Sequence, residues 1–223
     1  MTRNLLRADI RSNLNDAGIT FFQDGDINNS LQDAYNNICA YCQCIVKNVT
    51  LNWLSNVNYY DFLGGNPLAS TGVPQNIPVA DFLGVIGIFS NTTNLWLRDD
   101  LNIRDFDKIR IDWELWCGQA QYWTPHSLKY IAVAPRLAQG IGSFILWYWA
   151  QAPLWVEQQD TTQEPLVAAD MQNLFEYFAT ADLLESAEEP TKASIWWEKY
   201  FVSRESYKER CRDNARADLL QRI

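Results

Sequence analysis

Residues 143–155 read SFILWYWAQAPLW, and this stretch limits the choice of folds more than any other. As a β-strand it sends Phe144, Leu146, Tyr148 and Ala150 to one face and Ile145, Trp147 and Trp149 to the other. Both faces are then apolar, whereas a strand on the surface of a small monomer alternates with polar residues. The second face therefore needs cover. It can come from the chain's own helices, from another subunit, or from a ligand that stacks on exposed rings. Central core, subunit interface and aromatic platform are all open at this point. Aromatic residues are enriched in the cores of interfaces, so the first two are compatible.

The run is too short to cross a bilayer, which takes about 20 uncharged apolar residues, and no other stretch reaches that length. No membrane partner is expected. Met1–Ile10 already carries Arg3, Arg7 and Asp9, so no export signal is expected either. Five cysteines, an odd number, then read as free thiols in a reducing compartment. The formal charge of -9 argues against nonspecific nucleic-acid binding, which depends on Lys and Arg neutralising phosphates. The charge is also uneven. No basic residue lies between Arg136 and Lys192, an interval that holds Glu157, Asp160, Glu164, Asp170, Glu176, Asp182, Glu185, Glu188 and Glu189. The last segment, RESYKERCRDNARADLLQRI, is net positive.

Periodicity predicts helices at both ends and strands between them. Residues 2–17 read as a helix capped by Thr2, with Leu6, Ile10 and Leu14 on one face and Gly18 as its stop. A second helix starts at Asp24 or Asp26 and carries Ile27, Leu31, Tyr35, Ile38, Cys42 and Ile45 at helical spacing to about Lys47. Phe21 and Phe22 are expected to pack at the corner. VIGIFSN, TNLWLRD, KYIAVAP and SFILWYWA read as strands, with RDFDKIRIDWELW as a short helix among them. A third long helix is expected from Pro165 and a fourth from Pro190 to about 221. The fold class is α+β: a helical bundle of two N-terminal and two C-terminal helices (1–49 and 156–223) enclosing a β-rich insert (50–155).

No residue pattern builds a catalytic centre. Cys39, Cys42 and Cys44 suggest zinc, but a closed site needs four ligands and no second CxxC exists; Cys39 and Cys42 also fall on the apolar side of the second helix, so core thiols are expected. His126 is the sole histidine and lacks a nucleophile-elbow glycine pattern nearby. Asp99–Asp100 reads as a turn and Glu188–Glu189 as a helix start. DAGITFFQDGDINNSLQDA has the outline of a helix-turn-helix, yet its second helix would offer DNA acids and amides without Lys or Arg. No metal, no cofactor and no enzymatic activity are expected.

The order of elements carries a resemblance. FFQDGDINNSLQDAY (Phe21 to Tyr35) enters the second helix. IAVAP, a turn, GSFILWYWAQAPLW and then QEP run from Ile131 to Pro165, followed by the closing helices. This chain resembles the head-to-tail adaptor (connector) proteins of tailed bacteriophages over nearly its whole length, residues 50–125 excepted. The resemblance implies a structural virion protein of the neck, made in the host cytoplasm. It implies a dodecameric ring that binds the portal protein, receives a tail or nozzle protein and continues the channel through which genomic DNA passes. The residues that would serve are Ile145, Trp147, Trp149 and Trp155 at the subunit interface. Arg204, Lys208, Arg212, Arg216 and Arg222 would contact the portal, and Glu157, Asp160 and Glu164 would line the channel, where acids repel phosphates. The i,i+3 pairs Glu205/Lys208, Glu209/Arg212 and Asp213/Arg216 offer a solvated helix end as the competing role for the C-terminal segment. The competing class is a carbohydrate-binding or host-recognition module that uses Trp53, Trp96, Trp113, Trp116, Trp123 and the SFILWYWAQAPLW rings as stacking faces.

Overall fold

Leu6 and Ile10 stand one turn apart and are fully buried, which fixes the inward face of the first helix. The computed structural model describes residues 1–16, 21–62, 79, 81–125, 130–155 and 164–220, with side chains to residue 213. The chain is mixed α+β and divides into two units, Met1–Ile45 with Gln151–Ile223 and Val46–Ala150. Among the described residues no helix is long and apolar enough to cross a membrane.

The first unit is built from helices. α1 spans Arg3–Leu14 behind the extended Thr2 and stops at Asn15, whose φ of 56° is left-handed. The expected stop at Gly18 lies outside the described residues, and the helix ends three residues before it could have acted. α2 spans Asp24–Cys42. Gln23 precedes it, and its backbone N–H donates to the Asp26 carboxylate at 3.1 Å, closing a capping box. The predicted stripe Ile27, Leu31, Tyr35, Ile38 and Cys42 is fully buried. The helix ends at Gln43, φ 53°, so Lys47 belongs to a strand and not, as expected, to this helix.

Arg11 joins the two helices. Its guanidinium donates to Asp16 at 3.3 Å, to the Phe22 carbonyl at 3.0 Å and to Asp24 at 2.6 Å. Hydrogen bonding to Arg11 holds the Asp24 carboxyl below its ordinary range. Asp16 in turn accepts the backbone N–H groups of Phe21 and Phe22 at 3.3 and 3.1 Å. The corner is thus organised by charge-assisted hydrogen bonds. Phe21, expected to pack there, is 82% exposed.

Among the described residues the other two α-helices of this unit are α4 (Asn173–Ser186) and α5 (Pro190–Leu220). Pro165, the expected start of this helix, lies ahead of a 3-10 turn at Ala169–Met171, and α4 begins only after that turn. α4 packs on α1, α2 and α5, and α5 also packs on α2. Tyr35, Trp155 and Phe175 form the aromatic centre, with ring centroids 5.2 to 5.6 Å apart. The Tyr35 hydroxyl accepts from the Leu166 N–H at 2.7 Å, and Gln32 accepts from the Trp155 N–H at 3.0 Å.

Among its described residues the second unit holds two antiparallel sheets. β1 (Val46–Asn52), β7 (Ser143–Ala150), β3 (Phe82–Ser90) and β4 (Leu95–Trp96) form one sheet in that order. β2 (Tyr59–Asp61), β6 (Tyr130–Ala134) and β5 (Tyr122–Pro125) form the other. β1, β2 and β5 were not anticipated; β1 begins inside the residues assigned to the second helix, so the unit starts at Val46 and not at residue 50. Phe144 of β7 lies 4.2 Å from Trp53 and 5.7 Å from Tyr60 of β2, ring to ring, so the sheets share this core. α3 (Ile103–Ile109) and a 3-10 turn at Trp113–Leu115 cover Ala132 and Ala134 of β6 with Phe106 and Trp113. Gly142 admits the chain into β7. Its φ is +98°, and a Cβ there would lie 2.1 Å from the Thr92 hydroxyl oxygen.

Candidate functional site: the outer face of the four-stranded sheet

β7 is central in its sheet, and its burial alternates. Phe144, Leu146, Tyr148 and Ala150 are buried, whereas Ser143, Ile145, Trp147 and Trp149 are half-buried. The register shows what shares the outer face. Val46 stands opposite Trp149, Asn48 opposite Trp147, and Thr50 opposite Ile145. On the other flank Gly84 meets Trp149, Gly87 meets Trp147, and Phe89 meets Ile145. Trp96 follows on β4, paired with Phe89.

The two glycines let the rings lie on the sheet. A Cβ on Gly84 would stand 3.5 Å from the Trp149 ring, and one on Gly87 would stand 3.0 Å from the Trp96 ring. Trp96 sits between Phe89 and Trp147, with centroids 5.5 and 6.4 Å away. The result is a strip of Trp149, Trp147, Trp96 and Phe89. Beside it on β1 run Asn48, Thr50 and Asn52, all exposed. Such a strip offers ring faces and apolar area, with amide and hydroxyl groups along one side.

The inner face of β7 has a polar anchor. The Tyr148 hydroxyl donates to Asp81 at 3.0 Å, and Lys47 pairs with the same carboxylate. Burial, and then the neighbouring Asp81, pushes Tyr148 up to about 12. Against the upward push of burial, hydrogen bonds from Lys47 and Tyr148 hold Asp81 below the ordinary carboxylate range.

Ile145, Trp147 and Trp149 therefore lie together on one half-exposed surface. Trp155 does not join them. It is only 8% exposed and packs in the helical unit between Tyr35 and Phe175, with the Arg3 guanidinium 5.7 Å from its ring. Its expected place at a subunit interface is corrected to the core of the helical unit, where the Tyr35 and Phe175 rings cover it.

The basic residues of α5 are largely occupied within the chain. Arg204 lies 3.7 Å over the Tyr41 ring, and Lys208 lies 4.0 Å from the same ring. The Arg204 side chain is 16% exposed, so it serves the packing of α5 on α2 and offers a partner little surface, contrary to the portal-contact expectation. Lys208 is half-buried and Arg212 exposed. The side chains of Arg216 and Arg222 lie outside the described residues. Arg210 pairs with Asp170 at 2.6 Å, and Lys199 lies 4.0 Å over Trp196.

Of the acids expected to line a channel, Glu157 and Asp160 lie outside the described residues, as does His126. Glu164 is exposed and faces the N-terminal amine at 3.4 Å. Several other acids of that zone bind within the chain: Asp182 accepts from Ser30 at 2.6 Å, and Glu185 from the Trp197 indole at 3.0 Å. Cys39 and Cys44 bring their sulfurs to 3.8 Å. Among the described residues no group of His, Cys, Asp and Glu is arranged to hold a metal ion.

Gly84, Gly87 and Phe89 complete the strip and are absent from the expected site residues, whereas Trp96 is one of the tryptophans expected as stacking faces in the carbohydrate-binding alternative. The signal was the FLGVIGIF segment, whose glycines in a strand mark a close approach by a neighbouring side chain. Comparison with known protein families and with characterised proteins finds no match for this chain.

Proposed function

We propose that this protein is a non-enzymatic structural component of a tailed-phage virion: a head-to-tail adaptor whose copies close into a dodecameric ring between the portal and the tail protein. In this reading the helices form a bundle with the β-rich unit inserted in it, and DNA passes along the ring without sequence-specific contact. The observation that carries the proposal is the outer face of the four-stranded sheet. Ile145, Trp147 and Trp149, extended by Phe89 and Trp96, leave apolar area for a neighbouring subunit to cover. A second apolar surface supports it. On α5, Phe201 and Val202 are 48% and 69% exposed. A ring built from identical subunits joined head to tail needs two different adhesive surfaces per copy. Among the described side chains of the expected portal-contact set, Lys208 is half-buried and Arg212 exposed, and these two would face a portal.

Electron microscopy of the purified protein, alone and mixed with its portal, tests the reading. Rings are expected in at least the mixture, and Trp147→Ser with Trp149→Ser should abolish them while leaving the melting transition in place. A monodisperse single subunit under every condition rejects the adaptor reading. The exposed Asn48, Thr50 and Asn52 beside the strip favour one other reading, a carbohydrate platform. Quenching of tryptophan fluorescence by glycans, without any ring, would select it.

A further inference from the structure

The helical unit contains a groove of about 590 Å³ whose apolar lining is Leu14, Phe21, Phe22, Leu184, Ile195 and Trp196. Its volume lies in the range of sites that enclose one or two large side chains. Two of its walls are unusually bare, with Phe21 82% and Ile195 55% exposed. A phenylalanine so open contributes little to the fold of the single chain. It forms a ready apolar contact for something that enters from outside.

The electrostatics of the groove select what that is. Asn15 closes α1 and Ala187 closes α4, and both residues line the groove. Two helix C-termini therefore end here, each carrying roughly half a negative charge. The N-terminus of α5 at Pro190 offsets about one of them, so the excess negative charge comes from one helix end and the neighbouring glutamates. Glu189 stands in the wall and the exposed Glu188 beside it. Lys192, the one basic residue among the described lining, is already bound to Glu189 at 2.5 Å. The floor is apolar and the rim negative. Nucleic acid and acidic segments are repelled by such a rim, and a purely apolar segment would leave it unused.

We propose that this groove docks a basic peptide segment of a partner protein, with an apolar side chain seated between Phe21 and Ile195 and Lys or Arg groups facing Glu188, Glu189 and the end of α4. The site is separate from the sheet strip, and the proposal does not depend on ring formation.

The test is fluorescence anisotropy on the full chain with three labelled 12-residue peptides. One carries a tryptophan and two leucines among four arginines; the second replaces the apolar residues with serine; the third replaces the arginines with glutamate. The first should bind. The other two, and the first peptide on a Phe21→Ser/Ile195→Ser protein, should bind at least about tenfold more weakly, as expected on losing a buried anchor. Glu188→Gln with Glu189→Gln should weaken the first peptide several-fold and flatten its salt dependence. Equal binding of the serine peptide, or an unchanged affinity in the Phe21→Ser/Ile195→Ser protein, would reduce the effect to surface charge and overturn the proposal. Loss of self-association in that same variant without peptide would assign the groove to a second copy and overturn it as well. Ring formation is scored separately by microscopy, so a failed groove leaves the adaptor reading standing.

Discussion

Arg204 of α5 lies 3.7 Å over the ring of Tyr41 of α2, and the Tyr41 hydroxyl donates to Glu205 one residue further on. The same guanidinium reaches the Asn37 side chain at 3.4 Å, which also accepts from Tyr200 at 2.7 Å. A residue that looks like a surface cation thus ties two helices together.

Arg204→Ala should destabilise the protein by about 1–3 kcal/mol, since it removes a partly desolvated cation–π contact together with the packing of the side-chain stem. Arg212→Ala, on an exposed position of the same helix, should change stability by less than about 0.5 kcal/mol. Urea denaturation of the two variants measures the difference. An equal and small effect would show that the Tyr41 contact contributes nothing.

Glu176 of α4 is pushed up to about 7, first by burial and then by the adjacent Asp9 of α1. The folded state therefore holds this proton more tightly than the unfolded chain, where the ordinary value is 4.5. The stabilisation is complete below about 4.5 and is lost as pH rises through about 7. After discounting for solvent screening, the loss should be on the order of 1–2 kcal/mol. Glu176→Gln should remove this pH dependence, melting above the parent at pH 8 and close to it at pH 4.5. Parallel melting curves across that range would refute the assignment.

Gly142→Ala should cost about 2–3 kcal/mol, from positive-φ strain plus the collision with Thr92. Thr92→Ala in the same chain relieves the collision and leaves the strain, so it should recover part of the loss. Thermal melting of the single and double variants reads both terms. Full recovery would place the entire cost in the collision.

Thiol labelling should be sharply graded. Cys117 is exposed, whereas Cys39 and Cys42 are buried. Burial pushes Cys42 up to about 12 and Cys211 up to about 11, which leaves little thiolate at neutral pH. With an aromatic disulfide reagent at pH 8, Cys117 should react within the mixing phase, and Cys39 and Cys42 only on the timescale of unfolding. Rapid reaction at Cys42, mapped by mass spectrometry, would contradict its burial.

What the sequence alone determined follows from local period. The α2 stripe from Ile27 to Cys42 and the two-faced character of β7 were legible, because a helix repeats every 3.6 residues and a strand every two. α5 was legible through Pro190 at its start. The boundary at Val46 was not: Ile45 continues the helical spacing, and only pairing with β7 draws the next residues into a strand. The tertiary structure alone decided that Trp155 is core, that Arg204 is held by Tyr41, and that Gly87 leaves room for the Trp96 ring beside Trp147. Each of these depends on a partner distant in the chain, and side-chain period carries no information about which distant segments meet. The candidate surface was therefore half readable: β7 announced a face in need of cover, and the fold chose the residues that complete it.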